Sequence, residues 1–441
     1  MTLKKRPLER SVNLSVELAE WERVGPEQSA QLRGTSFAGD PAAQMLVRRL
    51  RERVAIYEGY QGLEISSTSY VGRIDIGSLR ISIQPKLPAL PLATLLRYAY
   101  GLRDVGILPE TQAPLERHAF HDLLIALLLA EVEELIHRGL ARRYVPLIQP
   151  LDSPRGQILV TQLARRGGLR EARLPCRYFD RRLNWHLNYV LRAGLEIASK
   201  MTGDPDLRRH SLRIANSLEE VERHSPLDDT DLDRAERELT RLTASYAPAL
   251  TIIRLLHSML GVSFDAGEVH GRMPGFLFDM NAFFERLLSR FLDDNLEEGV
   301  LNQWPIRGVF AFAVNGNPKP RRARTIRPDF ALFRSGEPTF LDAKYRDVWD
   351  LGLPPGWLYQ LSIYAMASPN RKSVLLYATT SLEASDERIE VNQPVSRSQP
   401  PFATVIVRPV PLQRLAELVD PASARKLTIE RRRLAQALVA S

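Results

Sequence analysis

The sequence predicts an α+β multidomain fold with a β-rich amino-terminal region, a helical middle and a carboxy-terminal α/β domain. Three observations carry this. Ile74 and Ile76, then Leu79, Ile81 and Ile83, alternate with polar residues on either side of Gly77-Ser78, the period-two signature of paired strands. From about residue 91 to 260 the apolar residues recur at helical spacing instead. After Gly267 a helix-like run is followed by three strand-like runs, a further helix and two more strands, the order of a compact α/β domain. A chain of 441 residues exceeds a single compact core, so two or three domains are expected. Their boundaries are set at 1–105, 106–265 and 266–441.

Taken in order, residues 41–57 read as a helix carrying Leu46, Val47, Leu50 and Val54 on one side. The hairpin follows, with glycine first in its two-residue turn, and Pro85-Lys86-Leu87-Pro88 ends it. Its polar face has no evident chemistry, so this region is expected to dock a partner. Residues 120–140 are apolar on nearly every side, as in a helix buried in a bundle. Ser153-Pro154-Arg155-Gly156 forms a turn into a short strand at 157–160. Residues 183–201 and 230–242 follow the helical period, the second starting beside Asp229 and Asp231, where the helix dipole favours acids. Asp279 caps a helix over 280–294 whose Met280, Phe284, Leu287, Leu288 and Phe291 face a core. Strands are expected at 308–314, 326–333, 339–345, 373–379 and 403–407, with a helix at 357–367.

Composition excludes several classes. A hydrophobic share of 44% and a charged share of 25% are those of ordinary globular protein, not of a disordered chain. Lys and Arg outnumber Asp and Glu by 60 to 52, a mild bias toward polyanions. The single cysteine, Cys176, rules out an intramolecular disulfide and a cysteine-based zinc site. The longest apolar stretch, 123–130, falls far short of the roughly 20 residues of a membrane span, and residues 1–10 lack the apolar run of a secretory signal. A cytoplasmic location without membrane contact is expected. His118 and His121 stand three apart without a third ligand nearby, so a structural role is the better reading.

The chemistry sits in Arg327-Pro328-Asp329 and Asp342-Ala343-Lys344. The stretch 334–338 between them is turn-rich, which places the motifs on neighbouring strands of a hairpin. Side chains alternate along a strand, so Asp342 and Lys344 share a face while Ala343 points away. Two carboxylates suit Mg²⁺ (or Mn²⁺), a hard cation that prefers oxygen ligands. Such an ion polarises a phosphoryl oxygen and acidifies water, and Lys344 can offset the charge that grows on phosphorus. Glu285, on the preceding helix, supplies a third carboxylate within reach of the same ion. Gln360 and Tyr364, four apart, share one face of the following helix. Residues 305–327 hold six basic residues and no acid. Of these, Lys319, Arg321, Arg322, Arg324 and Arg327 are expected to contact DNA phosphates. Pro318 and Pro320 keep their segment out of regular structure.

The run Phe276-Leu277-Phe278-Asp279-Met280-Asn281, together with Ile326-Arg327-Pro328-Asp329, Leu341-Asp342-Ala343-Lys344-Tyr345 and Tyr359-Gln360-Leu361, closely resembles the McrC family. Cys176-Arg177-Tyr178-Phe179-Asp180 with Asn184, and the hairpin with its Gln84-Pro85-Lys86-Leu87 end, resemble it less specifically. McrC is the endonuclease subunit of the McrBC modification-dependent (5-methylcytosine) restriction system. The resemblance implies that the carboxy-terminal domain is a restriction-endonuclease-like PD-(D/E)xK nuclease. Glu285, Asp329, Asp342 and Lys344 would match its metal and catalytic positions, with Ala343 in the metal set. Gln360 matches a glutamine that related nucleases carry after the lysine, and Tyr364 extends its face. Asp342 stands where related nucleases often have Glu.

The resemblance also implies an McrB-like AAA+ GTPase or ATPase ring as partner and modified double-stranded DNA as substrate. The sequence holds no G-x-x-x-x-G-K-[ST] phosphate loop, so the nucleotide motor is expected on another chain. Two rival readings are a non-catalytic adaptor that activates such a ring and a free-standing DNA-repair nuclease.

Overall fold

The computed structural model describes residues 14–102, 120–165, 173–222, 226–260, 275–334, 336–392, 401–423 and 426–440. The expected boundaries at 105/106 and 265/266, and His118, lie outside these residues.

In chain order the amino-terminal elements are β1 (Leu14–Ala19), β2 (Arg23–Val24), α1 (Pro41–Leu50), β3 (Val54–Gly59), β4 (Gly62–Ser67), β5 (Tyr70–Ile76), β6 (Leu79–Gln84) and α2 (Ala89–Tyr100). The middle holds α3 (Phe120–Arg138), β7 (Arg143–Leu151), β8 (Gln157–Ile158), α4 (Val160–Arg165), β9 (Leu174–Arg182), α5 (His186–Met201), α6 (Pro205–Ser217), α7 (Asp229–Arg237) and α8 (Ala247–Leu260). Then come β10 (Gly275–Asp279), α9 (Met280–Asn295), β11 (Val300–Asn302), β12 (Phe330–Arg334), β13 (Glu337–Lys344), α10 (Val348–Leu351) and α11 (Pro355–Ala367). The chain closes with β14 (Lys372–Thr379), β15 (Glu387–Val391), β16 (Ala403–Pro411), α12 (Leu412–Val419) and α13 (Thr428–Leu438).

These elements form two compact units. One takes Met1–Asp104, Pro109–Phe120 and Leu260–Ser441; the other takes Val105–Leu108 and His121–Met259. The amino-terminal and carboxy-terminal regions, separate in the sequence reading, thus share a unit. The reason is a strand pair across the chain: β10 runs antiparallel to β5, with Phe278 opposite Val71. Two glycines make that approach possible. A Cβ on Gly72 would stand 2.3 Å from the Phe276 carbonyl oxygen, and one on Gly275 would stand 2.4 Å from that of Arg73.

In the shared unit the hairpin sits inside a sheet of order β1-β6-β5-β10 beside a three-stranded sheet, β2-β4-β3. Gly77 takes a φ of 60° while Ser78 does not go positive, as a turn with glycine first requires. Leu18, Ile65, Ile74, Ile81 and Leu277 belong to one buried cluster between these elements. The six-stranded sheet, ordered β11-β12-β13-β14-β16-β15, has its own core around Phe340, Leu361, Leu375 and Val405. Asp279 caps α9 by accepting from the Asn281 and Ala282 N–H groups. In the second unit, α3 and α5 to α8 accompany a sheet of order β7-β9-β8, and Cys176 and His121 are buried.

Three sequence expectations need correction. The helix over 41–57 stops at Leu50, and Val54 begins β3, where Val54 and Ile56 pair with Ser67 and Ile65; pairing overrides the helical periodicity. The mostly helical middle also holds the long strands β7 and β9, which the sequence reading lacks: β7 is largely exposed and β9 is of mixed burial and polarity, so no clear period marks them. The expected strand at 308–314 is absent, since this apolar run pairs with no described strand and stays exposed. Among the described residues, no helix is long and apolar enough to cross a membrane.

Candidate active site

Strands β12 and β13 form the hairpin that the spacing called for. Phe330 pairs with Leu341, so Asp329, one residue earlier, falls across from Asp342. Within β13, Asp342 and Lys344 share a face, and the Lys344 Nζ lies 2.6 Å from the Asp342 Oδ2. The same ammonium is 3.8 Å from the Asp329 Oδ2 and donates to the Ala343 carbonyl at 3.3 Å. Asp342 is 2% exposed. Burial drives its pKa up to about 6, with Asp329 adding to the rise and Lys344 opposing it. Burial also works against the charge on Lys344, but Asp342, Asp329 and Glu285 outweigh it and hold the ammonium above its ordinary pKa.

Asp329 is anchored from both sides. Its Oδ2 accepts the Ala343 N–H at 2.8 Å, and its Oδ1 accepts the Gln303 amide at 3.1 Å. Glu285, half-buried on α9, feels the same charges. Its pKa is pushed up to about 7 by burial, then by Asp329, with Lys344 opposing. A cleft of about 540 Å³ opens beside Glu285 and Asp329, bordered by Arg286, Arg290 and Asn302. Among the described residues, no three His, Cys, Asp or Glu side chains already converge as ligands on one point. In this structure the Asp342 and Asp329 oxygens are engaged instead by Lys344, Gln303 and the Ala343 N–H.

Gln360 and Tyr364 do share a face of α11, and the amide donates to the hydroxyl at 2.7 Å. Their target is a carbonyl, because the Tyr364 hydroxyl donates to the Arg327 oxygen at 3.0 Å. The pair therefore braces the chain just ahead of Asp329. Burial, then the Asp342 charge, pushes the Tyr364 hydroxyl up to about 12, so it remains a donor. Lys319, Arg321, Arg322, Arg324 and Arg327 are all exposed on the connection between β11 and β12.

Sequence reasoning missed four residues around the site. Gln303 had no signal, being one polar residue in a loop. Asn281 lies in a quoted motif, yet its role needs tertiary structure: its Oδ1 accepts the Tyr345 N–H at 2.9 Å and its amide donates to the Ser69 hydroxyl at 2.9 Å. Trp21 donates its indole N–H to the Tyr345 carbonyl at 3.2 Å. Lys86 lies 4.4 Å from the Tyr345 ring centre. Both main-chain groups of Tyr345, the residue after Lys344, are thus held by side chains from the turn between β1 and β2 and from α9.

A family model described as "McrBC 5-methylcytosine restriction system component" matches residues 65–378, more than half of the chain. No curated protein matches. Among solved structures, the chain is similar to one in the refined half-complex from a tetradecameric assembly of Thermococcus gammatolerans McrB AAA+ hexamers with bound McrC. That likeness has a TM-score of 0.63 at 18% identity and covers 93% of this chain and 100% of that one. A chain in the cryo-EM structure of the Thermococcus gammatolerans McrBC complex gives a TM-score of 0.45 at 18% identity, covering 64% of this chain and 88% of that one. At such identities the first likeness speaks for the fold alone. The extent of the family match decides the rest: the chain belongs to the family of McrBC 5-methylcytosine restriction system components.

Proposed function

We propose that this chain is the endonuclease subunit of its restriction system, hydrolysing phosphodiester bonds of modified double-stranded DNA through a PD-(D/E)xK-type site. The observation that supports this most is Lys344 set against Asp342 and Asp329 at the ends of adjacent strands, with Glu285 close enough to feel all three charges. Hydrolysis adds the oxygen of water to phosphorus and breaks a bridging P–O bond, leaving one phosphate end and one hydroxyl end. A pair of carboxylates bonded to a lysine is also common as plain surface structure, but such pairs are exposed. Here Asp342 is buried at a cost that folding alone does not need.

The donor set suits Mg²⁺ or Mn²⁺ by its chemistry. Three carboxylates, two with raised pKa values, concentrate negative charge that a hard divalent cation relieves. Glu285, Asp329, Asp342 and the Ala343 carbonyl would hold the ion, which supplies a polarised phosphoryl oxygen and a more acidic water. Lys344 contributes a fixed positive charge beside the developing phosphorane. Gln360 and Tyr364 hold the Arg327 carbonyl and so fix the approach to Asp329. Lys319, Arg321, Arg322, Arg324 and Arg327 hold the backbone without reading its sequence.

The first structural neighbour contains McrB AAA+ hexamers with bound McrC, and we carry that partner over: an McrB-like AAA+ ring works with this chain and supplies the nucleotide motor. The test is cleavage of a 5-methylcytosine-containing duplex by the full chain with its ring, nucleotide and Mg²⁺. Asp342→Ala, Lys344→Ala and a chelator should each abolish cutting while ring binding persists. Wild-type cutting by either variant would sink the assigned site. Stimulated nucleotide hydrolysis without any cutting by the wild-type chain would favour an adaptor. Full cutting without the ring would favour a free-standing nuclease.

A further inference from the structure

Residues 303–328 leave the six-stranded sheet as an arm rooted on the active site. At its root the Gln303 N–H donates to the Asp329 carbonyl at 2.9 Å, and the Gln303 side chain donates to the Asp329 carboxylate at 3.1 Å. Gln303 does this from a left-handed backbone, with a φ of 52°, a conformation that a non-glycine residue holds only at a cost. One isolated bridge, Ile306 with Ile326, pinches the two limbs together. The Trp304 ring meets Phe333 edge-on at 5.5 Å. Beyond that pinch almost every residue is exposed.

The two limbs differ in chemistry. The outgoing limb shows Phe310 at 43%, Phe312 at 46% and Val314 at 94% exposure. The returning limb carries Lys319, Arg321, Arg322 and Arg324, all exposed, and Asn317 ties its bend by hydrogen bonds to both main-chain groups of Arg321. The whole arm contains no acidic residue. Aromatic rings held in water on a segment with no core beneath them mark a contact surface. The uniform positive charge beside them selects a polyanion.

We propose that this arm is a two-sided DNA clamp: the basic limb grips phosphates while Phe310 and Phe312 press against the base stack as an apolar wedge. This rests on the DNA-cleaving reading of the site next to it. It goes further by assigning the aromatic limb and by routing the clamp to Asp329 through Gln303. Apolar side chains that enter a groove partly unstack a base step, and aromatic contact with bases adds affinity without adding charge. The two limbs therefore differ in their dependence on salt.

The experiment uses the full chain without divalent ions, so that binding is read independently of cleavage. The probes are a fluorescein-labelled duplex and the same duplex carrying 2-aminopurine. Phe310→Ala with Phe312→Ala should weaken binding about tenfold at an unchanged salt slope and remove the 2-aminopurine brightening that reports unstacking. Replacing both with Trp should restore binding. Arg321→Ala, Arg322→Ala and Arg324→Ala together should flatten the log–log salt slope by up to about 2.7, at about 0.9 for each phosphate released. Affinity within twofold of wild type in the Phe variant, with brightening unchanged, would overturn the wedge. So would a change in the mass of the DNA-free protein in that variant, which would show that the rings cover another protein surface. Because binding is read without cleavage, a wild-type chain that binds and unstacks the duplex here yet cuts no DNA in the cleavage assay would bear on the active-site reading alone.

Discussion

The end of β13 and the arm both reach Asp329, and they are built on opposite principles. Ala343 and Asp342 are almost wholly buried, and Tyr345 is held through both its main-chain groups by Asn281 and Trp21. The arm is exposed along most of its length and fixed only at its root, by the Ile306–Ile326 bridge, Gln303, the Trp304–Phe333 contact and the Tyr364 hydroxyl on the Arg327 carbonyl. A reacting group must be placed before substrate arrives, because a small misplacement costs a large factor in rate. A DNA grip must instead meet an irregular polyanion and is served by long, solvated cations. Burial marks the first kind of site and exposure the second.

Altering each site in turn and reading both rate and affinity separates the two. Lys344→Ala should lower the rate of DNA cleavage by about a hundredfold to a thousandfold, the scale of losing one group that stabilises charge at the reacting centre, with DNA affinity nearly unchanged. The arm triple Arg321→Ala, Arg322→Ala, Arg324→Ala should weaken affinity by roughly tenfold to a hundredfold at low salt. Its cleavage rate at saturating DNA should stay near wild type. If the Lys344 variant loses affinity and rate together, the division between chemistry and grip is wrong.

Legibility in the sequence follows the same division. The Asp329, Asp342 and Lys344 trio could be read because strand alternation is a local rule: Asp342 and Lys344 meet on one face simply by being two residues apart. The Gln360–Tyr364 pair was likewise local, being one helical turn. Their target, the Arg327 carbonyl, was not. Nothing in the local pattern around residue 275 says that it pairs with residue 74. Hence 1–105 and 266–441 read as separable, whereas a fragment ending near residue 265 would strip β10 from β5 and leave an unpaired edge. The arm misled for a related reason. Residues 309–314 form a short unbroken apolar run that reads as a strand, but a strand needs a partner, and partners are not local.

A smaller effect sharpens the account of the buried side. Asn281→Ala leaves the Tyr345 N–H without its acceptor, and an orphaned buried donor costs about 1–3 kcal/mol. If that clamp places Lys344, the turnover rate should fall about tenfold while DNA affinity and the Michaelis constant stay put. Asn281→Asp keeps an acceptor for Tyr345 and should restore most of the rate. A variant whose loss is confined to thermal stability would make Asn281 a structural residue only.

The smallest effect concerns Glu20, which faces Lys86 and Tyr345 beneath the same clamp. Its Oε1 accepts the Lys86 N–H at 3.3 Å. Burial pushes its pKa from 4.5 up to about 8, with Lys86 and the Tyr345 hydroxyl opposing. Burial in turn lowers Lys86, against the pull of Glu20, Asp347 and Asp350. Because the folded-state pKa of Glu20 lies above the unfolded one, the folded chain keeps its proton longer. Between about pH 4.5 and 8 the unfolded state therefore binds fewer protons, and stability from this group declines as pH rises. Glu20→Gln keeps the shape and cannot ionise. Its melting temperature should match wild type near pH 5 and exceed it progressively toward pH 8, by roughly 2–4 °C for each kcal/mol recovered. Melting curves of both proteins across that range, without divalent ions, make the measurement. A constant gap between the two curves would mean that Glu20 is already ionised in the folded protein and that burial does not hold its proton.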